Sequence, residues 1–118
     1  MKFGYFFDEQ GNCQIKHDEA AVVRFFFTHY VNEHKPMDVL SYNLPMEVSP
    51  GILGGNEWRR RHVHTILSDA NYAGVQATPA GFVPGQYPPI IPIELFIAAQ
   101  ARRWRLSSPN YRVTIKTI

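Results

Sequence analysis

One segment restricts the fold of this chain more than any other, because residues 18–33 are apolar on nearly every side of a helix. Asp18 can cap this helix, and Glu19 suits its positive end. The apolar residues follow almost without interruption: Ala20, Ala21, Val22, Val23, Phe25, Phe26, Phe27, Tyr30 and Val31. A helix with so few polar positions should be the central and most buried element of the protein.

Short elements are predicted on both sides of this central helix. An aromatic run over residues 2–7, turn residues at 8–11 and an alternating stretch at 13–16 predict a β-hairpin before it. After it, Lys35 and Pro36 break the chain, and Pro36 is well placed at the first position of a short helix over residues 37–44. Two helices joined by a tight break suggest packing like that of a helix-turn-helix.

A third helix is predicted near the middle of the chain. Prolines and glycines mark residues 45–55 as a loop before it. Asn56 is suited to cap this helix, which would run through Trp58 to Ser68. Its apolar residues fall on one face: Val63, Ile66, Leu67 and Ala70. Trp58 is expected to be a core anchor.

The remaining sequence predicts β-structure and a last helix. A strand is predicted over residues 72–78, and the proline- and glycine-rich residues 79–89 predict an irregular connection or a loose hairpin that could form a flexible arm. Pro92 opens a fourth helix over residues 93–104, and the tail alternates like a strand from residue 111 onwards. The predicted fold class is α+β, with a small helical, helix-turn-helix-like core and flanking short β-hairpins.

Length and composition favour a single soluble domain. The chain has 118 residues, of which 45% are hydrophobic, which is enough for one core. No run approaches the roughly 18 apolar residues of a membrane helix, and the start of the chain lacks the order of a secretory signal. We therefore expect a cytoplasmic protein. The single cysteine, Cys13, excludes an internal disulfide and a four-cysteine zinc ribbon, and it should be half-buried in a strand.

Recognisable catalytic and ligand-binding motifs are absent from the sequence. The glycines at 51–55 lack the lysine and hydroxyl of a phosphate-binding loop, and no serine is framed as in a nucleophile elbow. His62 and His64 lie two residues apart, so on a helix they point away from each other and cannot share a metal ion. We expect no catalytic residue, no cofactor and no metal site.

The charge of the chain is distributed unevenly. Residues 1–57 carry four basic and eight acidic residues, whereas residues 58–118 carry eight basic residues against two acidic ones. The basic half is where an anionic partner would dock. The candidate DNA-binding residues lie there in two clusters: Arg59, Arg60, Arg61 and His64, and then Arg102, Arg103 and Arg105. Both clusters suit phosphate oxygens, and arginine can also bind a guanine edge. The competing interpretation is a solvated helix face.

Several motifs, taken in order along the chain, resemble the recombinase domain of large serine recombinases and phage-type integrases. The matching residues of the hairpin and central helix are Gly4, Tyr5, Asp8, Gly11, Ile15, Glu19, Ala20, Val22, Val23, Arg24, Phe27 and Tyr30. The later matches are Leu40, Asn43, Trp58, Val63, Ile66, Leu67, Tyr72, Gly74, Ile91, Glu94, Phe96 and Gln100. The block from Trp58 to Gly74 is the most specific, because six positions agree at fixed separations. Most matched residues are apolar, so they identify a fold and do not locate a site.

The resemblance implies a DNA-binding domain over residues 1–105, followed by a tail or linker at 106–118. In the family this domain looks like a module between an N-terminal resolvase-like catalytic domain, which carries the nucleophilic serine, and a C-terminal zinc ribbon. The implied partners are double-stranded DNA and those two domains, with homo-oligomer formation in the parent recombinase. Either the helix of residues 59–67 or the short helix before it would face a groove of the DNA.

The sequence departs from the family pattern in two places. The loop at 45–55 lacks the usual approach to the tryptophan. Asp69, Ala70 and Asn71 replace the commoner Arg-Asn-Pro, which removes an arginine that could have touched the DNA backbone.

Two other functions remain open from the sequence. The first is a protein-interaction module that keeps the same fold and docks a partner through the aromatic and proline-rich residues 82–93. The second is a small enzyme, against which the missing catalytic constellation argues.

Overall fold

The computed structural model describes residues 2–42 and 59–107, and it confirms the α+β fold class. The elements follow one another as β1 (Tyr5–Phe7), β2 (Cys13–Ile15), α1 (His17–Asn32), α2 (Met37–Tyr42), α3 (Arg60–Leu67), a 3-10 helix (Ala70–Ala73), β3 (Val75–Thr78), β4 (Gly81–Pro84) and α4 (Ile93–Ser107). The predicted loop at 45–55, the Asn56 cap, Trp58 and the predicted strand from residue 111 lie outside the described residues.

The helix α1 is the centre of the core, as predicted. Its inward side chains are almost completely inaccessible to solvent: Ala20, Val22, Val23, Phe26, Phe27 and Tyr30. It packs against α2, α3 and α4. The predicted Asp18 cap is wrong, because the N-cap is Lys16, whose side chain makes no capping hydrogen bond, and the Asp18 carboxylate accepts from the next backbone amide instead.

The first hairpin forms as predicted and is tied to the start of α1. Tyr5 pairs with Ile15 and Phe7 with Cys13 in an antiparallel register, and Cys13 is half-buried. The Asp8 carboxylate accepts hydrogen bonds from two backbone amides of the turn, which is how aspartate stabilises tight turns. These hydrogen bonds, above all that from the Asn12 amide, lower the pKa of Asp8.

The helix α3 is shorter than predicted at both ends. It begins at Arg60, because Arg59 has extended backbone angles and serves as the N-cap. At the other end the Asp69 carboxylate accepts from the Asn71 amide and caps the 3-10 helix, so that Ala70 starts a new element instead of continuing α3. The strand predicted to begin at residue 72 therefore begins only at Val75.

The loose hairpin predicted after α3 is β3 paired with β4 in antiparallel register. The following residues return to the core instead of standing away from it as an arm. The amides of Ile90 and Ile91 both donate to the Tyr72 carbonyl, and the Tyr5 hydroxyl donates to the Pro88 carbonyl over 2.7 Å. Both isoleucines are buried, which fixes the approach to α4.

The helix α4 starts after Pro92, whose carbonyl accepts from the Leu95 amide in the first turn. Phe96 and Ala99 are its buried contacts with the core. Gln100 is also buried, and its amide nitrogen donates to the Leu67 carbonyl at the end of α3 over 2.5 Å. This bond fixes α3 and α4 relative to each other. In the part of the chain that the structure describes, no helix has the length and apolar character needed to cross a membrane.

Candidate nucleic-acid interface

The two predicted cationic clusters, which lie about 40 residues apart in the sequence, come into contact through His64 and Arg103. Arg59, Arg60, Arg61 and His64 belong to the cap and outer side of α3, and all four are exposed. Arg103 projects from α4, and its guanidinium lies 3.0 Å from Nε2 of His64. Arg105 is exposed one half-turn further along α4. Arg105 lies on a different side of α4 from Arg103, so the described contacts bring Arg60, His64 and Arg103 together, and we call this side of α3 and α4 the basic surface.

The contact between His64 and Arg103 requires a neutral histidine. A guanidinium has only donors, so Nε2 of His64 must accept from Arg103 and cannot carry a proton. Although His64 is exposed as a residue, partial desolvation of its imidazole lowers its pKa, and the neighbouring charges of Arg103 and Arg60 lower it further. Burial also lowers the pKa of Arg103.

A buried glutamine sets the position of this pair. Gln100 donates to the Leu67 carbonyl through its amide nitrogen, and its side-chain oxygen accepts a short hydrogen bond from Arg103. A chain of contacts thus runs from the C-terminal end of α3 through Gln100 and Arg103 to His64. Because Gln100 is buried, its side-chain oxygen holds the Arg103 guanidinium in a fixed direction.

The side chain that accepts the N-cap amide of α3 belongs to a histidine, His62. The Arg59 amide donates to Nδ1 of His62 over 3.0 Å, which again requires a neutral imidazole. Burial lowers the pKa of His62, and Arg61 and Arg59 add to this effect. This contact leaves the side chains of Arg59, Arg60 and Arg61 on the outside of the first turn.

One acidic side chain from α2 reaches this surface. The carboxylate of Asp38 lies 3.3 Å from Nε of Arg60, and both side chains remain about two-thirds exposed, at 69% and 65%. An ion pair so open to water contributes little to stability. Phosphate oxygens could therefore replace Asp38 at Arg60 at small cost.

Arg102 has a different environment from the other predicted arginines. One of its terminal nitrogens donates to the His34 carbonyl over 2.8 Å, and the other lies 2.8 Å from Nδ1 of the same residue. Its guanidinium carbon is 5.0 Å from the centre of the Tyr30 ring, within range of a cation–π contact. His34 has a positive φ of 54°, so Arg102 holds the unusual backbone between α1 and α2.

A groove of about 280 Å³ lies where the four helices approach one another. Arg60, His64 and Arg103 supply its basic wall, and Tyr30 and Trp104 supply aromatic surface. A groove of this size is at the lower limit of the volumes typical of small-molecule sites, about 300–1,000 Å³. Among the described residues, no group of three or more potential metal ligands comes together.

Sequence reasoning missed two residues that contact the predicted arginines, namely Asp38 and His34, and it also missed Lys2. Lys2 forms a salt bridge with Asp69 and lies over the rings of Tyr72 and Tyr87 at 5.8 and 5.4 Å. Asp69 is one of the departures from the family pattern, and here it pairs with Lys2 and caps the 3-10 helix. Such contacts join residues that are far apart in sequence, so no local sequence pattern predicts them.

Residues 82–93, the segment suggested for protein docking, pack large apolar side chains against the protein's own core. Phe82 packs edge-on against Phe96 with ring centres 5.9 Å apart, and Ile90 and Ile91 are buried. The large apolar side chains that are exposed among the described residues are instead Phe6 and Phe7 of β1, at 42% and 57%.

Comparison with protein families gives a match to the family model described as Recombinase, over residues 17–105. Solved structures share the fold, among them the following two. One is a crystal structure of an LSR-DNA complex, with a TM-score of 0.66 and 21% identity over 90% of this chain and 31% of that chain. The other comes from work on the sequence requirements of the Listeria innocua prophage attP site, with a TM-score of 0.67 and 22% identity over 92% of this chain and 44% of that chain. This chain therefore spans less than half of either. No protein with a curated description matches it.

Proposed function

Because the chain belongs to the Recombinase family, we propose that it is the DNA-binding domain of a site-specific serine recombinase and positions that enzyme on double-stranded DNA. The observation that carries the proposal is that α3 and α4 bring Arg60, His64 and Arg103 together in one groove, with a direct contact between His64 and Arg103. One of the solved structures with this fold is an LSR-DNA complex.

In this proposal the basic surface binds mainly phosphate oxygens. Arg59, Arg60, Arg61 and Arg105 are exposed, so their guanidinium groups can reach a duplex without rearrangement of the core. Each phosphate that they neutralise releases condensed counterions, which makes the affinity fall steeply with salt. Arg103 and His64 form a preset part of the same surface. Arg102 contributes through the backbone that it holds at His34.

The proposed domain comprises residues 1–105, and residues 106–118 lead towards a downstream domain. The helix α4 continues through Ser107, so the connection would begin as a helix. In the parent protein a separate catalytic domain would supply a serine hydroxyl that attacks a DNA phosphodiester, and a zinc ribbon would add further DNA contacts. Partner domains, homo-oligomer formation and a cytoplasmic location belong to the same proposal. Linked modules raise the overall affinity, so this domain alone is expected to bind only moderately.

The proposal is tested by fluorescence anisotropy with a labelled mixed-sequence duplex across a salt series. The variant Arg59→Ala/Arg60→Ala/Arg61→Ala should bind more weakly, and its log–log salt slope should flatten by about 1 for each lost phosphate contact. Replacing the three arginines by lysine should preserve most of the slope, because the charge remains. Lys16→Ala, which removes a cation on the hairpin side of α1, is the matched control and should behave as wild type. Failure of the wild-type chain to bind any duplex at low salt would overturn the proposal.

A further inference from the structure

The outward ridge of α3 differs from the rest of the basic surface. The inward residues of this helix, Val63, Ile66 and Leu67, are buried. Residues on the opposite side recur at the helical spacing of four and three, and Arg61, Thr65 and Ser68 are all exposed there. If α3 enters a groove of DNA, this ridge is the part that reaches the floor of the groove.

We infer that Arg61 and Thr65 determine the DNA sequence that the domain prefers, with Arg61 reading a guanine and Thr65 reading a thymine. The inference rests on the proposed DNA-binding function. It divides the basic surface into a ridge that reads bases and flanks that hold the backbone.

Arg61 is suited to base reading because its guanidinium is uncommitted within the described part of the chain. Arg60 pairs with Asp38, and Arg103 is held by Gln100 and His64. No ion pair or hydrogen bond of the Arg61 guanidinium joins it to another described residue. A free planar fork on the outermost line of a helix can bind O6 and N7 of guanine together, which is the commonest specific contact in the major groove.

Thr65 is suited to thymine because its hydroxyl hydrogen is already used. The hydroxyl donates to the Arg61 carbonyl one turn earlier over 2.8 Å. The group left for a ligand is chiefly the γ-methyl, and apolar contact with the C5-methyl of thymine is how threonine commonly distinguishes that base. Ser68 makes the same type of internal bond, to the His64 carbonyl over 2.6 Å, but has no methyl group to offer.

The spacing of the two residues fixes the expected spacing of the bases. Arg61 and Thr65 are one turn apart, about 6 Å along the axis of α3. Base pairs are stacked about 3.4 Å apart, so a helix lying along the groove would place the thymine about two base pairs from the guanine. Arg60, His64 and Arg103 lie together on one flank of the ridge, where the phosphates that border the groove would be.

The test is selection of bound duplexes from a randomised library by the full chain, followed by anisotropy on the selected duplex. Wild type should enrich a guanine with a thymine about two base pairs away. Arg61→Ala should lose the guanine preference, with discrimination against adenine falling by about 5- to 150-fold. Arg105→Ala is the matched control, and it should weaken binding to all duplexes equally while leaving the selected sequence unchanged.

The thymine contact has its own test, in which uracil replaces thymine and so removes only the C5-methyl. Wild type should bind the uracil duplex more weakly. Thr65→Ser keeps the internal hydrogen bond but lacks the methyl, so it should bind both duplexes equally.

Two sets of outcomes separate this inference from the proposed function. If wild type binds duplex DNA without any preference, or if Arg61→Ala weakens all sequences by one factor, the division between ridge and flanks is wrong and DNA binding stands. A Thr65→Ser variant that still distinguishes uracil from thymine would overturn the thymine contact. If wild type binds no duplex at low salt, the proposed function itself is wrong.

Discussion

His64 and Arg103 are two basic groups in direct contact, and their arrangement is stable only while the histidine is neutral. His62 must also be neutral, because its Nδ1 accepts a hydrogen bond from the Arg59 amide. The sequence shows two histidines two residues apart, and their opposite directions on a helix were predictable. It could not show that one would cap α3 and the other would face an arginine from α4, because both contacts depend on tertiary packing.

These two histidines predict a pH dependence of stability. The pKa values of His62 and His64 are lowered in the folded protein, so the unfolded chain binds protons more readily. Their contribution to the free energy of unfolding is complete above the unfolded value of 6.5 and is lost as the pH falls through the lower folded values. The melting temperature should therefore decrease on acidification from about pH 7 to about pH 5.

The variant His62→Gln/His64→Gln is expected to reduce this pH dependence, because glutamine can accept a hydrogen bond without titrating. His17→Gln, which leaves both contacts intact, should keep the wild-type dependence. Melting curves followed by circular dichroism between about pH 8 and pH 5 would decide the matter. Equal slopes for the double variant and wild type would contradict the assignment of the effect to these two imidazoles.

At the scale of elements, the hairpin and α1 were predictable because their signals are local. Turn residues at 8–11 and the alternation at 13–16 specify the hairpin, and the apolar run specifies the helix. The start of α3 was less predictable. Arginine is not a favoured N-cap, and the partner that makes Arg59 one is the side chain of His62. The break after α3 likewise depends on the Asp69 carboxylate, which competes with the helix for the Asn71 amide.

The join between the hairpin and the core makes a prediction for two glycines. Gly4 has a φ of 101°, its amide donates to the Glu19 carboxylate, and an added Cβ would lie 3.0 Å from Ile90. Gly11 has a φ of 81° in the turn, but nothing lies within 4 Å of an added Cβ. Both alanine variants incur the strain of a left-handed backbone, about 1–2 kcal/mol. Gly4→Ala should lower the free energy of unfolding more than Gly11→Ala does, because Ile90 must also move.

Urea denaturation monitored by tryptophan fluorescence measures both variants. Gly11→Ala is the control for backbone strain alone, so the difference between the two isolates the packing of the hairpin on the core. A larger loss for Gly11→Ala than for Gly4→Ala would contradict the close contact between Gly4 and Ile90.

At the scale of the whole molecule, the main result is that a chain with a net charge of only +2 brings basic residues of α3 and α4 together, where Arg60, His64 and Arg103 line one groove. The sequence placed Arg59 to Arg61 and Arg102 to Arg105 in a basic half, which made them candidates for binding an anionic partner. It could not show that α3 and α4 are adjacent, since they meet through tertiary contacts such as the bond from the buried Gln100 to the Leu67 carbonyl. Nor could it separate Arg102, which lies against Tyr30, from the exposed Arg105 three residues later.

The central claim is that α3 and the end of α4 form one DNA-binding surface, and amide chemical-shift mapping tests it most directly. The 15N-labelled chain would be titrated with a mixed-sequence duplex at low salt. The largest shifts are expected together at residues 59–68 and 100–105, with little change in the hairpin at residues 5–15. Shifts concentrated in that hairpin or in residues 82–91, with none at α3, would contradict the claim.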